Sequence, residues 1–109
     1  MYVVNQDQLE GAFEGVDHGV GISFFLVNAK PGGGPALHKH AYAEVFIVLE
    51  GEATFIAGDE ERQIVSGEVV VVPGETPHRF FNSGHGALRQ VAIHVSPRFV
   101  TEWIARDYG

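Results

Sequence analysis

Histidine is the residue type in this chain with the most chemistry to offer. Six histidines stand among 109 residues, and there is no cysteine. Disulfides, thiolate metal sites and a cysteine nucleophile are therefore excluded. His38 and His40 lie two positions apart. On a strand that spacing puts both side chains on one face, about 7 Å apart. Two such imidazoles can converge on one ion at about 2.1 Å from each nitrogen. Glu44 comes shortly after and begins an apolar run, and His78 stands far along the chain, directly after Pro77, whose ring fixes the local backbone. Singly, each of these histidines reads more readily as a hydrogen-bonded or solvent-facing residue than as a ligand. The Gly32-Gly33-Gly34 triplet has no Lys-Ser/Thr after it and reads as a bend, not a phosphate loop.

Positioning such side chains calls for stiff elements, and the composition favours strands. Val and Ile number 21, against 5 Leu and 1 Met. β-Branched side chains suit a pleated sheet better than a helix. Gly51, Gly58, Gly67 and Gly74 stand 7, 9 and 7 residues apart, the cadence of an antiparallel sandwich or barrel built from hairpins. The segments between them, 52–57, 60–66 and 68–73, are predicted strands, as are 19–29, 44–49, 78–82 and 88–95. Gly58-Asp59 suits a turn whose first central residue has positive φ. Residues 69–72 are all valine, so both faces of that strand are expected to be covered. The end of the chain reads as a short helix. Ser96 would be its N-cap, Pro97 its first residue, and Phe99, Val100, Trp103 and Ile104 its apolar face.

Two spaced sets of residues resemble the paired motifs of the cupin family. Gly32, His38, His40, Glu44 and Gly51 match every fixed position of the first. Gly67, Pro73, His78 and Asn82 match the second, with Glu75 where the family has glycine. That departure falls on a turn residue and bears on loop shape, not on ligands. The resemblance implies an all-β fold, an antiparallel double-stranded β-helix or jelly-roll barrel of two packed sheets, with residues 1–109 as one domain. It implies a metal held by His38, His40, Glu44 and His78. Three imidazoles and one carboxylate suit Fe, Mn, Ni, Zn or Cu, and do not choose among them. Four protein ligands leave one or two positions open on a five- or six-coordinate ion, as catalysis requires. Glu44 is also the candidate catalytic residue, able to dissociate in part and accept a proton.

Strand parity predicts the pocket lining. If Glu44 points inward, so do Phe46 and Val48; if His78 does, so do Phe80 and Asn82. Lys39 and Arg79 then point outward. On the last predicted strand His94 shares parity with Gln90 and Ala92, opposite Val91, Ile93 and Val95. It reads as a buried, hydrogen-bonded histidine or as a pocket residue. His18 and His85 lie in turns and read as surface residues. This inward set is apolar apart from the ligands and Asn82, so the expected ligand is small and largely apolar or aromatic. A phosphorylated sugar or sugar nucleotide would want inward Arg or Lys.

Composition narrows the partners. The net charge is −7 and the basic residues are scattered, which disfavours nucleic acid. No apolar run approaches the roughly 18 residues of a membrane span, and the start has no basic-then-apolar leader, so a cytoplasmic setting is expected. Val45, Ile47, Leu49, Val69 and Val71 would face outward, which points to a homodimer. The leading expectation is a metal-dependent enzyme, a dioxygenase or related oxidative catalyst, with isomerase or lyase chemistry behind it. The competing reading is a non-catalytic small-ligand or metal-binding module acting on a partner in trans, since a chain this short leaves no room for an effector domain.

Overall fold

The glycine-punctuated, valine-rich segments pair as strands. The computed structural model describes residues 1–104. The strands are β1 (Ala12–Phe13), β2 (Ser23–Ala29), β3 (His38–Lys39), β4 (Glu44–Glu50), β5 (Glu52–Ala57), β6 (Glu60–Val65), β7 (Val69–Val72), β8 (His78–Asn82), β9 (Leu88–His94) and β10 (Glu102–Trp103). They form two five-stranded antiparallel sheets, ordered β1-β2-β9-β4-β7 and β10-β3-β8-β5-β6. Consecutive strands repeatedly cross from one sheet to the other, which is the jelly-roll arrangement. Among the described residues, no helix is long and apolar enough to cross a membrane.

Burial follows the pleat. Glu44, Phe46 and Val48 are buried on β4, and Leu88, Gln90, Ala92 and His94 on β9, while alternate residues are more exposed. Phe46, Phe55 and Phe80 meet between the sheets at ring separations of 4.9–5.8 Å. Each buried phenylalanine contributes about 1.5–3 kcal/mol from removal of apolar surface. Gly51 has φ +85, and a Cβ there would lie 2.4 Å from the Ala87 carbonyl oxygen. Only glycine allows both the left-handed backbone and that approach. Gly58 takes its expected positive φ of 57.

The structure departs from expectation in three places. The strand predicted over 19–29 begins only at Ser23, because Gly15–His18 coils as a 3-10 turn closed by Gly19 at φ 70. The four valines of β7 are not covered on both faces, since Val69 and Val71 are 57% and 63% exposed. Their outward side joins two apolar rows across the sheet, Phe24–Ile93–Val45–Val71 and Leu26–Val91–Ile47–Val69.

The third departure is the C-terminal helix, which does not form. Residues 95–98 bend, and Glu102–Trp103 pairs with β3 in the register Glu102↔Lys39 and Trp103↔His38. The short edge strand β3 offers main-chain partners, and Ile104 N–H adds a bond to the Leu37 carbonyl at 3.1 Å. The side chains that share a helical period here find separate partners. Phe99 stacks on Phe25 at 4.2 Å, and Trp103 lies against His38.

Candidate metal centre

Register brings the four motif residues together. His38 on β3 stands opposite His78 on β8 in one sheet. Glu44 on β4 stands opposite His94 on β9 in the other. His40 follows β3 directly, so the facing sheets close a cluster of five buried polar side chains at one end of the barrel. His38, His40, Glu44 and His78 each offer one ligand atom, and these atoms lie within 4.8 Å of one another.

The outer ring nitrogens decide what the inner ones can do. The Nδ1 atoms of His38, His40 and His78 lie 2.7, 2.8 and 2.8 Å from the carbonyl oxygens of Ala36, Val100 and Thr76. A carbonyl only accepts, so each Nδ1 carries the hydrogen and donates it. In the neutral ring Nε2 is then a lone pair. Glu44 Oε1 lies 3.1 Å from His40 Nε2 and 3.0 Å from His78 Nε2. Acceptors that close repel unless a proton or a cation stands between them. His40 Nε2 is buried, and apart from Glu44 Oε1 it has no hydrogen-bond partner among the described residues. Three imidazole nitrogens and one carboxylate oxygen, aimed at a common centre, fit a borderline divalent ion. The Nδ1–H···O=C bonds are the outer contacts that orient metal-binding histidines.

The same contacts set the electrostatics. Burial pushes the Glu44 carboxyl up, but hydrogen bonds with His40, His78 and His94 outweigh it and hold the group well below the usual 4.5. Burial also disfavours charge on His40. There the bond to Glu44, the Val100 carbonyl and the Glu44 charge prevail, and its pKa is raised above 6.5. At His38 burial wins over the Ala36 carbonyl, and the pKa falls below 6.5. Glu44 is thus an anion over the whole working range, facing lone pairs and a proton that a metal can displace.

A cavity of about 270 Å³ opens onto this cluster. Phe25, Val27, Pro35, Phe80, Ala92 and Trp103 line it, with His38, His40, Glu44 and His94 on one wall. Of the pocket residues expected from parity, Phe80 and His94 line the cavity. Phe46, Val48 and Asn82 share the inward face but do not line it. Phe46 and Val48 belong to the core cluster. The Asn82 amide donates to the Ala29 and Gly86 carbonyls and its oxygen accepts from Gly84 N–H, which ties down the β8–β9 turn. For Val48 and Asn82 the reason is distance, since each step of two residues moves about 7 Å along a strand and both stand two steps from Glu44 or His78; Phe46, one step away, packs against Phe55 and Phe80 instead. Sequence reasoning missed Phe25 and Val27, which are two apart on β2, and Thr101 and Trp103, two apart in the tail. Their period-two spacing was the available signal. Lys39 and Arg79 point outward as expected, Lys39 toward Glu75 and Glu102 at 3.7 Å and Arg79 over the Phe81 ring. His85 is exposed, while His18 stacks on Phe13 at 4.1 Å and meets the Tyr2 hydroxyl.

Residues 25–94 match the cupin domain family. A cupin-like protein from Thermotoga maritima superposes with a TM-score of 0.77 at 21% identity, over 86% of this chain and 73% of that one. An oxalate oxidase superposes with a TM-score of 0.70 at 25% identity, over 77% of this chain and 46% of that one. Auxin-binding protein 4 of Zea mays is 27% identical over 97 residues, 81% of this chain and 48% of its own length. The chain spans about half the length of the curated relatives it matches. With the family match covering the strands that carry His38, His40, Glu44 and His78, the chain belongs to the cupin family.

Proposed function

We propose that the protein is a metal-dependent enzyme that carries out oxidative chemistry on a small, largely apolar or aromatic substrate. The observation that carries this reading is that three of the four convergent ligand residues, His38, His40 and Glu44, line an open apolar cavity instead of being sealed in the core. His38, His40, Glu44 and His78 hold the ion. When bound, the ion supplies redox or Lewis-acid chemistry at the cavity wall. Phe25, Phe80 and Trp103 pack the carbon skeleton, and the cavity walls exclude water from it. Among the described residues none that lines the cavity is Arg or Lys, so a substrate oxygen would have to be held at the metal wall. Glu44, an anion held low by its three histidine contacts, is kept as a ligand by them, and would accept a proton only on partial dissociation from the ion. Likeness to an oxalate oxidase supports the oxidative class.

A ligand-binding role is the second reading, and the maize relative named for binding auxin favours it. One experiment separates the two. Protein purified without an affinity tag is assayed for stoichiometric transition metal. Apo protein is then reloaded with Fe(II), Mn(II), Ni(II) or Cu(II) and screened for oxygen uptake with catechol, enol, flavonol-like and oxalate substrates. Turnover in one metal form supports the enzyme. Tight ligand binding with every metal form inert supports the binding module, and absence of metal sinks the enzyme reading. The proposal includes a homodimer. The two outward apolar rows of the β1-β2-β9-β4-β7 sheet form a contiguous patch of the kind that marks an interface.

A further inference from the structure

His94 lies as close to Glu44 as His40 and His78 do, with Nε2 3.1 Å from Glu44 Oε2. It is 2% exposed. What differs is the group behind it. Its Nδ1 faces the Tyr42 hydroxyl at 2.7 Å, not a carbonyl. That hydroxyl already accepts Val100 N–H at 3.1 Å, so its own hydrogen is free to be donated. The alternative acceptor, Val100 O, lies farther off at 3.2 Å and already takes the His40 Nδ1 hydrogen at 2.8 Å. Tyr42 therefore donates to His94 Nδ1. The remaining ring hydrogen sits on Nε2 and points at Glu44 Oε2.

We propose that His94, held in this tautomer by Tyr42, is a positioning residue that occupies Glu44 Oε2 and leaves only Oε1 to face the ion. The proposal rests on the metal reading above. It divides four histidines that surround one carboxylate into three lone-pair donors and one hydrogen donor. It also explains why Oε1 alone faces His40 and His78. A carboxylate bound through one oxygen keeps a further coordination position open to substrate, which a chelating carboxylate would fill. The Val100 main chain serves both groups, its carbonyl orienting His40 and its N–H orienting Tyr42. The tail thereby sets the ligand and the positioning pair together.

Three variants and three measurements test this. In metal-free protein at alkaline pH, ¹⁵N–¹H imidazole spectra should show His94 as the Nε2–H tautomer and His38, His40 and His78 as Nδ1–H. In Tyr42→Phe the His94 signal should shift or become mixed. Loss of an outer contact of this kind typically costs 10–100-fold in metal affinity. That loss is expected for His94→Phe and, in smaller part, for Tyr42→Phe, read by chelator competition. His94→Gln restores an N–H donor and should recover most of it. The Cu(II) EPR spectrum should keep its nitrogen count in His94→Phe while its parameters shift. An Nδ1–H tautomer at His94, the loss of one coordinated nitrogen, or unchanged affinity and spectrum in His94→Phe would each overturn the proposal. A wild-type chain that binds no ion defeats the preceding reading instead, and the tautomer spectra still decide this one.

Discussion

Removing His78 should abolish metal binding, and the structure sets how large the signal is. His78 is buried, bonds Thr76 O through Nδ1 at 2.8 Å and reaches Glu44 Oε1 through Nε2 at 3.0 Å. At free metal a hundredfold above Kd, one site that binds only the folded chain stabilises it by about 2.7 kcal/mol. Unfolding entropy of about 2.1 cal/mol/K per residue, taken over 109 residues, turns that into a rise in Tm of about 12 °C. Trp103 is the sole tryptophan and sits with its ring 5.1 Å from that of His38. Adding a nitrogen–metal bond of about 2.1 Å and the imidazole radius bounds the ion at roughly 8–9 Å from the indole. Emission from Trp103 thus reports thermal unfolding and, with a quenching ion such as Cu(II), binding itself. Wild type should show the rise in Tm, its reversal by chelator and saturable quenching at one equivalent. His78→Ala, compared with its own metal-free Tm, should show none of the three; if it does not fold, His78→Gln takes its place. A shift of equal size in wild type and variant would refute the ligand assignment.

Three further outcomes are expected. In metal-free protein the raised pKa of His40 contributes stability that is full below 6.5 and is lost as pH rises through its folded value; the lowered pKa of His38 contributes stability lost as pH falls below 6.5, and that of Glu44 stability lost below 4.5. Urea midpoints of the apo form should therefore peak near pH 6.5, and the metal-bound increment should grow above it, where the competing proton leaves; a monotonic apo profile argues against the cluster. Glu75 holds φ 64 where glycine is free, a conformation costing about 1–2 kcal/mol for an L-residue. Glycine returns about 0.4–1 kcal/mol of that through the unfolded chain, so Glu75→Gly should gain about 0.5 kcal/mol or break even in urea titration, and a clear loss would mean that the Lys39 contact at 3.7 Å holds more than an exposed pair should. Val71→Asp should turn a sedimenting dimer into a monomer with folding stability changed by about 0.5 kcal/mol or less, since Val71 is 63% exposed on one chain; wild type sedimenting as a monomer removes the interface.

Local chemistry made most of the fold legible. Gly51, Gly58 and Gly67 bracket β5, β6 and β7 as their spacing implied, because positive φ at each is a local demand on the backbone; only Gly58 turns the expected hairpin, since the chain crosses between the sheets at Gly51 and Gly67. Alternation identified the inward faces of β4, β8 and β9 for the same reason. The misreadings lie where a neighbour far along the chain decides. Phe99, Val100, Trp103 and Ile104 fit a helical stripe, and isolated propensity had no access to the open edge of β3 that recruits Glu102–Trp103 as a strand. The two-residue strands β1, β3 and β10 are too short to show a period at all. The valines of β7 read as buried on both sides because apolar content does not say whether the second cover comes from the same chain.

The site divides in the same way. Spacing located His38, His40, Glu44 and His78, and register then put His38 opposite His78 and Glu44 opposite His94. Spacing had no means of separating His94 from the other three, since all four rings surround one carboxylate. Their difference lies in what faces the outer nitrogen: the carbonyls of Ala36, Val100 and Thr76 for three of them, and the Tyr42 hydroxyl for the fourth. A main-chain carbonyl leaves no trace in sequence. A hydroxyl does, and Tyr42 stands midway between His40 and Glu44, two residues from each. An alternating His-x-Tyr-x-Glu run sets a ligand, a hydrogen donor and a carboxylate at the same two-residue spacing. The donor must then find an imidazole, and the pairing of β4 with β9 supplies His94. That run, continuing from the His38-x-His40 pair, carries three of the four candidate metal ligands together with the hydroxyl that faces His94.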